Sequence, residues 1–104
     1  MESRKLPRIE VDAPLQVCIV GDVHNHRGTI VNVSQGGLRF TSSVSFPVGE
    51  VLQFDAANHI LVGTVRYSVA EKERFATGIE LQDAISKPEF EALLQELKPE
   101  FMVC

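Results

Sequence analysis

In Ile9-Glu10-Val11-Asp12-Ala13-Pro14-Leu15-Gln16-Val17-Cys18-Ile19-Val20, the apolar residues Val11, Ala13, Leu15, Val17 and Ile19 stand at alternate positions. A period of two is that of a β-strand with one face in a core and the other toward solvent. Pro14 interrupts the run and marks an edge or a bulge, because proline has no N–H to give to a ladder.

The same pattern returns several times downstream. Gly21-Asp22 opens a polar connection through His24, Asn25, His26 and Arg27, after which Thr29-Ile30-Val31-Asn32-Val33 is again extended. The parity of this second strand predicts Val31 and Val33 in the core and Ile30, Asn32 and Ser34 on the outer face. Gly36-Gly37 then offers backbone angles closed to other residues, and also room for a ligand to approach the main chain. Leu38 and Phe40 are expected to point inward and Arg39 outward. Further strands are predicted over 51–55, 60–69 and 75–81. They are separated by Phe46-Pro47-Val48-Gly49, by Ala57-Asn58 and by Glu71-Lys72-Glu73. Alternation with Val65 and Tyr67 places Arg66 on the outer surface. Short strands at this spacing imply a mainly β fold, a small six-stranded antiparallel barrel, whose closure leaves no exposed edge.

The end of the chain changes period. Phe90, Leu93, Leu94, Leu97 and Phe101 recur at helical spacing, and Ser86-x-x-Glu89 is a capping-box signal with Pro88 in the first turn. A helix over 86–98 follows, ending at Lys98-Pro99, with Glu89 placed to complement the helix dipole. Its apolar stripe is expected to cover one barrel opening or to meet a partner. The organisation predicted is one domain over 1–104, with a mobile strap at 1–8, a barrel over 9–83 and the helix over 86–98.

With 104 residues, 44% of them hydrophobic and 23% charged, the composition is that of an ordinary globular domain with a modest core. A formal net charge of −4 argues against a broad basic surface, and so against DNA or RNA as partner. Basic residues are instead local: Arg4, Lys5 and Arg8 crowd the start. No secretory leader pattern and no apolar run near the roughly 20 residues of a spanning helix is found, which predicts a cytoplasmic protein without membrane insertion. Cys18 and Cys104 lack metal-type spacing and read as free thiols.

Against that background two short motifs stand out, Arg4-x-x-x-Arg8 and Asn32-x-Ser34-x-x-Gly37. Arginine carries a planar fork that pairs bidentately with phosphate or with the acceptor edge of guanine, and it also stacks on bases. Two forks close together suit a small, planar anion. Asn32 and Ser34, two apart on a strand, share a face and can hydrogen-bond a base.

The order and spacing of these motifs resemble the bacterial PilZ domains, whose hallmark is R-x-x-x-R followed by D/N-x-S-x-x-G. The resemblance runs from Arg4 to Leu81 and takes in the Gly36-Gly37 turn into Leu38-Arg39-Phe40, Val65-Arg66, and Gly78-Ile79-Glu80-Leu81. It implies a PilZ-type barrel and a non-enzymatic receptor for the second messenger cyclic di-GMP. Arg4 and Arg8 would form a strap that grips guanine and phosphate; Asn32, Ser34 and Gly37 would form the barrel face. Arg66, outward on its strand, is either a further charge for the ligand or a solvated surface arginine. Ordering of the strap would signal to a downstream protein partner or to a second copy of the chain. Lys5 stands where a second adjacent arginine is often found, and Asn32 where Asp is also common.

Other chemistries are weaker. Asp22, His24 and His26 share one loop and form a conceivable metal set, but three ligand types on a loop are a thin signal. No nucleophile elbow or phosphate-cradling loop supports an enzyme, so no catalytic residue is assigned. The alternative function is a barrel of this type that docks another protein through its helix without binding nucleotide, which an exposed Phe90, Leu94 and Phe101 stripe would favour. His59 reads as a turn residue.

Overall fold

The computed structural model describes residues 8–56 and 58–97. Arg4, Lys5, Lys98-Pro99, Phe101 and Cys104 lie outside the described residues, as does all of the expected strap except Arg8. Six strands and one helix follow in order: β1 (Ile9–Ile19), β2 (His26–Ser34), β3 (Gly37–Ser42), β4 (Val51–Ala56), β5 (His59–Glu71), β6 (Arg74–Leu81) and α1 (Lys87–Leu97).

The strands close into an antiparallel barrel in the order β1-β2-β3-β6-β5-β4. β1 realises its alternation: Val11, Ala13, Leu15 and Val17 are buried, while Asp12, Pro14 and Gln16 are exposed. The ladder to β4 covers only Gln16 to Ile19, so Pro14 lies beyond its end, where the missing N–H disturbs no β1–β4 pair. Phe40 anchors the interior through edge-on contacts with Phe46 and Phe54, at ring-centroid distances of 5.8 and 5.7 Å. That geometry suits the charge distribution of aromatic rings.

The parity expected in β2 does not hold. A bulge at Val31 gives β2 one residue more than β3 between the Ile30–Phe40 and Asn32–Arg39 pairs. Both Ile30 and Val33 are therefore buried, Val31 is only half-buried, and Asn32 keeps its outward place. A second bulge at Arg66 does the same in β5, where Val65 pairs with Ile79 and Tyr67 with Gly78. Arg66 and Tyr67 are consequently both exposed, not alternating. An inserted residue breaks the two-residue period, which no local pattern announces.

The helix begins as its cap predicts. Ser86 Oγ accepts the N–H of Glu89 at 3.4 Å, and Ser86 O accepts that of Phe90 at 2.8 Å. Helical structure starts at Lys87, with Ser86 as its cap. Phe90, Leu93, Leu94 and Leu97 are all buried and belong to the same core cluster as the barrel residues. The described part of the stripe is thus covered by this domain itself.

Glu96 fastens the helix to the β4–β5 hairpin. One carboxylate oxygen accepts the Asn58 N–H at 3.2 Å, and the other lies 3.5 Å from His59 Nε2, a buried atom with no hydrogen bond. Glu96→Ala is expected to lower unfolding free energy by about 1 kcal/mol, the usual net worth of one hydrogen bond. Urea denaturation of the two proteins checks it. No helix among the described residues is long and apolar enough to cross a membrane.

Candidate functional site

Directly paired residues on neighbouring strands face the same side of a sheet. One outward row therefore runs Asn32 on β2, Arg39 on β3, Gly78 on β6 and Tyr67 on β5. The next outward row runs Ser34, Gly37, Glu80 and Thr64. The two bulges bring Asn32 and Tyr67 into this arrangement.

Arg8 sits immediately before β1 and its Nη1 donates to Asn32 Oδ1 at 2.7 Å. The two sequence motifs are thereby in contact through exposed side chains. Ser34 differs from the expectation of a displayed hydroxyl: it is buried, accepts the N–H of Gly36 at 3.3 Å and donates to the Gly37 carbonyl at 3.4 Å. It holds the β2–β3 turn, the local role common to serine beside glycine.

Gly37 is not needed for an unusual backbone angle, since the described glycines with positive φ are Gly21 and Gly49. Its requirement is space. A Cβ there would lie 2.3 Å from the Ile79 carbonyl oxygen on the adjoining strand. The same residue leaves open surface beside Glu80, its partner across the ladder.

Beyond Gly37 the outer face holds a cleft of about 520 Å³, reached by Arg8, Ser34, Gly37, Arg66, Tyr67 and Glu80 among others. That size suits a small organic ligand. Arg66 is ion-paired with Glu80 across the β5–β6 ladder, and both side chains remain more than half exposed. Tyr67 lies over Gly78: a Cβ at Gly78 would fall 2.2 to 2.8 Å from the ring and its hydroxyl. Glycine so lets an aromatic ring approach the sheet closely, at the wall of the cleft.

Of the residues selected from sequence, the cleft therefore gathers Arg8, Ser34, Gly37 and Arg66, with Asn32 joined to Arg8. Arg4 lies outside the described residues. Tyr67, Gly78 and Glu80 were not selected. Gly78 and Glu80 lay within the Gly78-Ile79-Glu80-Leu81 pattern of the resemblance, and Gly78 carried a further signal, since glycine inside a strand pattern marks a close approach. Arg39 bonds Glu71 at 2.9 Å and its Nε is buried without a hydrogen-bond partner, so it belongs to the same outer face but is already engaged.

The loop before β2 does not assemble a metal centre. Asp22 bonds the ring and the N–H of His24 at 3.0 and 3.2 Å, and the ring contact first, then the backbone contacts, hold its carboxyl below the ordinary value. His26 instead packs edge-on against Phe46, with centroids 5.7 Å apart. No group of three or more potential ligands occurs among the described residues. A separate hollow of about 440 Å³ near Arg27 and Asp55 lies on β1, β4 and the far end of β2 and contains no motif residue.

Comparison with known proteins gives a consistent family. The structure of the Bacillus subtilis inhibitor of motility MotI/DgrA superposes with a TM-score of 0.71 at 20% identity, covering 96% of this chain and 51% of that one. This chain thus spans about half the length of that protein. The PilZ domain of CeSA from a cellulose-synthesizing bacterium gives a TM-score of 0.57 at 17% identity, over 90% and 98% of the two chains. At these identities the likeness is one of fold. No curated protein sequence gives a significant match. Residues 2–98 match the family model described as PilZ domain, so the chain belongs to the PilZ domain family, whose members are non-catalytic domains that generally bind cyclic di-GMP.

Proposed function

We propose that this protein is a cyclic di-GMP receptor of the cytoplasm, binding the dinucleotide between its N-terminal Arg4–Arg8 segment and the outer face of the barrel. The observation that carries the reading is the Arg8–Asn32 hydrogen bond, which joins residues 24 apart in sequence at a cleft wide enough for a nucleotide base. Arg8 and Arg66 supply charge to phosphate or to guanine acceptors, Asn32 supplies an amide that complements a base, and Tyr67 supplies a ring for stacking. Gly37 keeps the surface between them low.

Signalling in this reading runs through residues 1–8. A segment that gains charge-assisted bonds from a ligand is ordered by it and presents a new surface. That surface would be read by a downstream protein or by a second copy of the chain, with no role for DNA, RNA or membrane insertion. The nucleotide-free docking alternative rested on an exposed stripe of Phe90, Leu94 and Phe101, and of these the two described residues, Phe90 and Leu94, are buried in the domain's own core.

Isothermal titration of cyclic di-GMP into the protein, with GTP as control, tests the reading. Saturable heat with cyclic di-GMP and none with GTP is the expected result. Absence of heat together with an unchanged melting temperature at high ligand concentration rejects it.

A further inference from the structure

We infer that Glu80 is a guanine-reading residue: held by Arg66, its carboxylate accepts the N1–H and N2–H of a guanine stacked on Tyr67. The inference rests on the cyclic di-GMP reading above and adds to it the residue that would select the base.

Among the described residues lining the cleft, Glu80 is the one acidic residue. Placed against a ligand with two phosphates, a carboxylate is unfavourable unless it meets a different part of that ligand. The guanine edge is such a part, because it offers two parallel N–H donors to two carboxylate oxygens. Adenine presents an acceptor at N1 and would meet the same carboxylate with repulsion.

The neighbouring residues fit a base on this spot. Gly78 and Glu80 are two apart on β6 and face outward together, with Ile79 buried between them. Two residues along a strand span about 7 Å, the scale of a purine. The Tyr67 ring rests on Gly78, so ring and carboxylate bracket that distance on one surface. On the other side Glu80 pairs with Gly37, which has no side chain to crowd the base.

Arg66 completes the arrangement. It is the residue inserted by the β5 bulge and is ion-paired to Glu80. One part of its fork holds the carboxylate, and its remaining donors are free for O6 and N7 of the same guanine. Arg66 also offsets the negative charge of Glu80, which lets an acid stand in an anion site.

The decisive comparison is cyclic di-GMP against cyclic di-IMP, which lacks only the guanine N2 amino groups, titrated into wild type and Glu80→Ala. Wild type is expected to prefer cyclic di-GMP, and this preference should fall about tenfold in Glu80→Ala, the discrimination of one good base-edge pair. A Glu80 that merely repels phosphate would change both affinities by one factor and leave their ratio unchanged, and that result overturns the inference. The side chain is 59% exposed, so an unaltered melting temperature of the variant is expected and separates binding from folding. If wild type binds neither dinucleotide, the receptor reading itself fails and this inference with it. Binding of cyclic di-GMP with an unchanged ratio removes the inference alone.

Discussion

Gly37→Ala is expected to destabilise the domain by about 3 kcal/mol, at the upper end of what overpacking a close-fitted site costs. The added methyl would stand 2.3 Å from the carbonyl oxygen of Ile79. That obstacle is backbone, so no rotamer change relieves it. Gly37 pairs with Glu80 and Leu38 with Ile79, and parting β3 from β6 would strain both pairs. The Ser34 hydroxyl bonds Gly36 N–H and Gly37 carbonyl, so displacement of the turn also disturbs a buried polar group. For a domain of this size the loss corresponds to a melting temperature lower by roughly 12 °C or more. Differential scanning calorimetry without ligand reads it directly. A ligand-free melting temperature within about 2 °C of wild type would show that the strands separate at little cost and that the glycine serves only the ligand.

This distinction bears on how motifs are interpreted. The Asn-x-Ser-x-x-Gly segment looks like a row of ligand contacts, yet Ser34 and Gly37 have structural work that needs no ligand. Asn32, outward and bonded to Arg8, is the residue of the three whose side chain is free of such work. Substitutions at Ser34 or Gly37 therefore confound folding with binding, and a binding defect there is interpretable only beside a stability measurement.

Much of the architecture was legible because it depends on short-range patterns. The alternation of β1, the turn residues between strands and the Ser86 cap each act within a few residues, and each appears where the pattern places it. The bulges at Val31 and Arg66 escaped because an inserted residue is defined by its partner strand. With Val31 and Arg66 each inserted, a strict two-residue count misassigned Ile30 as outward and Tyr67 as inward. The site suffered most from this. Tyr67 enters the cleft only through the Arg66 bulge, and Glu80 acquires meaning only when β5 places Arg66 beside it. The basic motif was visible as composition, whereas the acidic and aromatic parts of the cleft are products of register.

Arg8→Ala should weaken cyclic di-GMP binding about 100-fold, the scale of losing two hydrogen bonds between a guanidinium and an anionic ligand. Arg8 is exposed and its hydrogen bond is to the exposed side chain of Asn32, so the ligand-free melting temperature is expected to stay put. The physical source of the effect is separable by a second substitution. Arg8→Lys keeps the charge but lacks the planar fork, and is expected to recover part of the affinity, leaving a deficit of roughly tenfold. If charge alone mattered, the lysine variant would match wild type at every salt concentration. Arg27→Ala supplies the control, because Arg27 pairs with Gln16 at the other end of β2 and does not line the cleft. Its removal lowers the net charge as Arg8→Ala does, so similar losses in both variants would mean a diffuse electrostatic contribution. A loss confined to Arg8, steeper in wild type than in Arg8→Ala as salt is raised, would locate a phosphate contact at the start of β1. An Arg8→Ala affinity within threefold of wild type would remove the Arg8–Asn32 junction from the binding site, leaving the family relationship intact but without the contact proposed to deliver its signal.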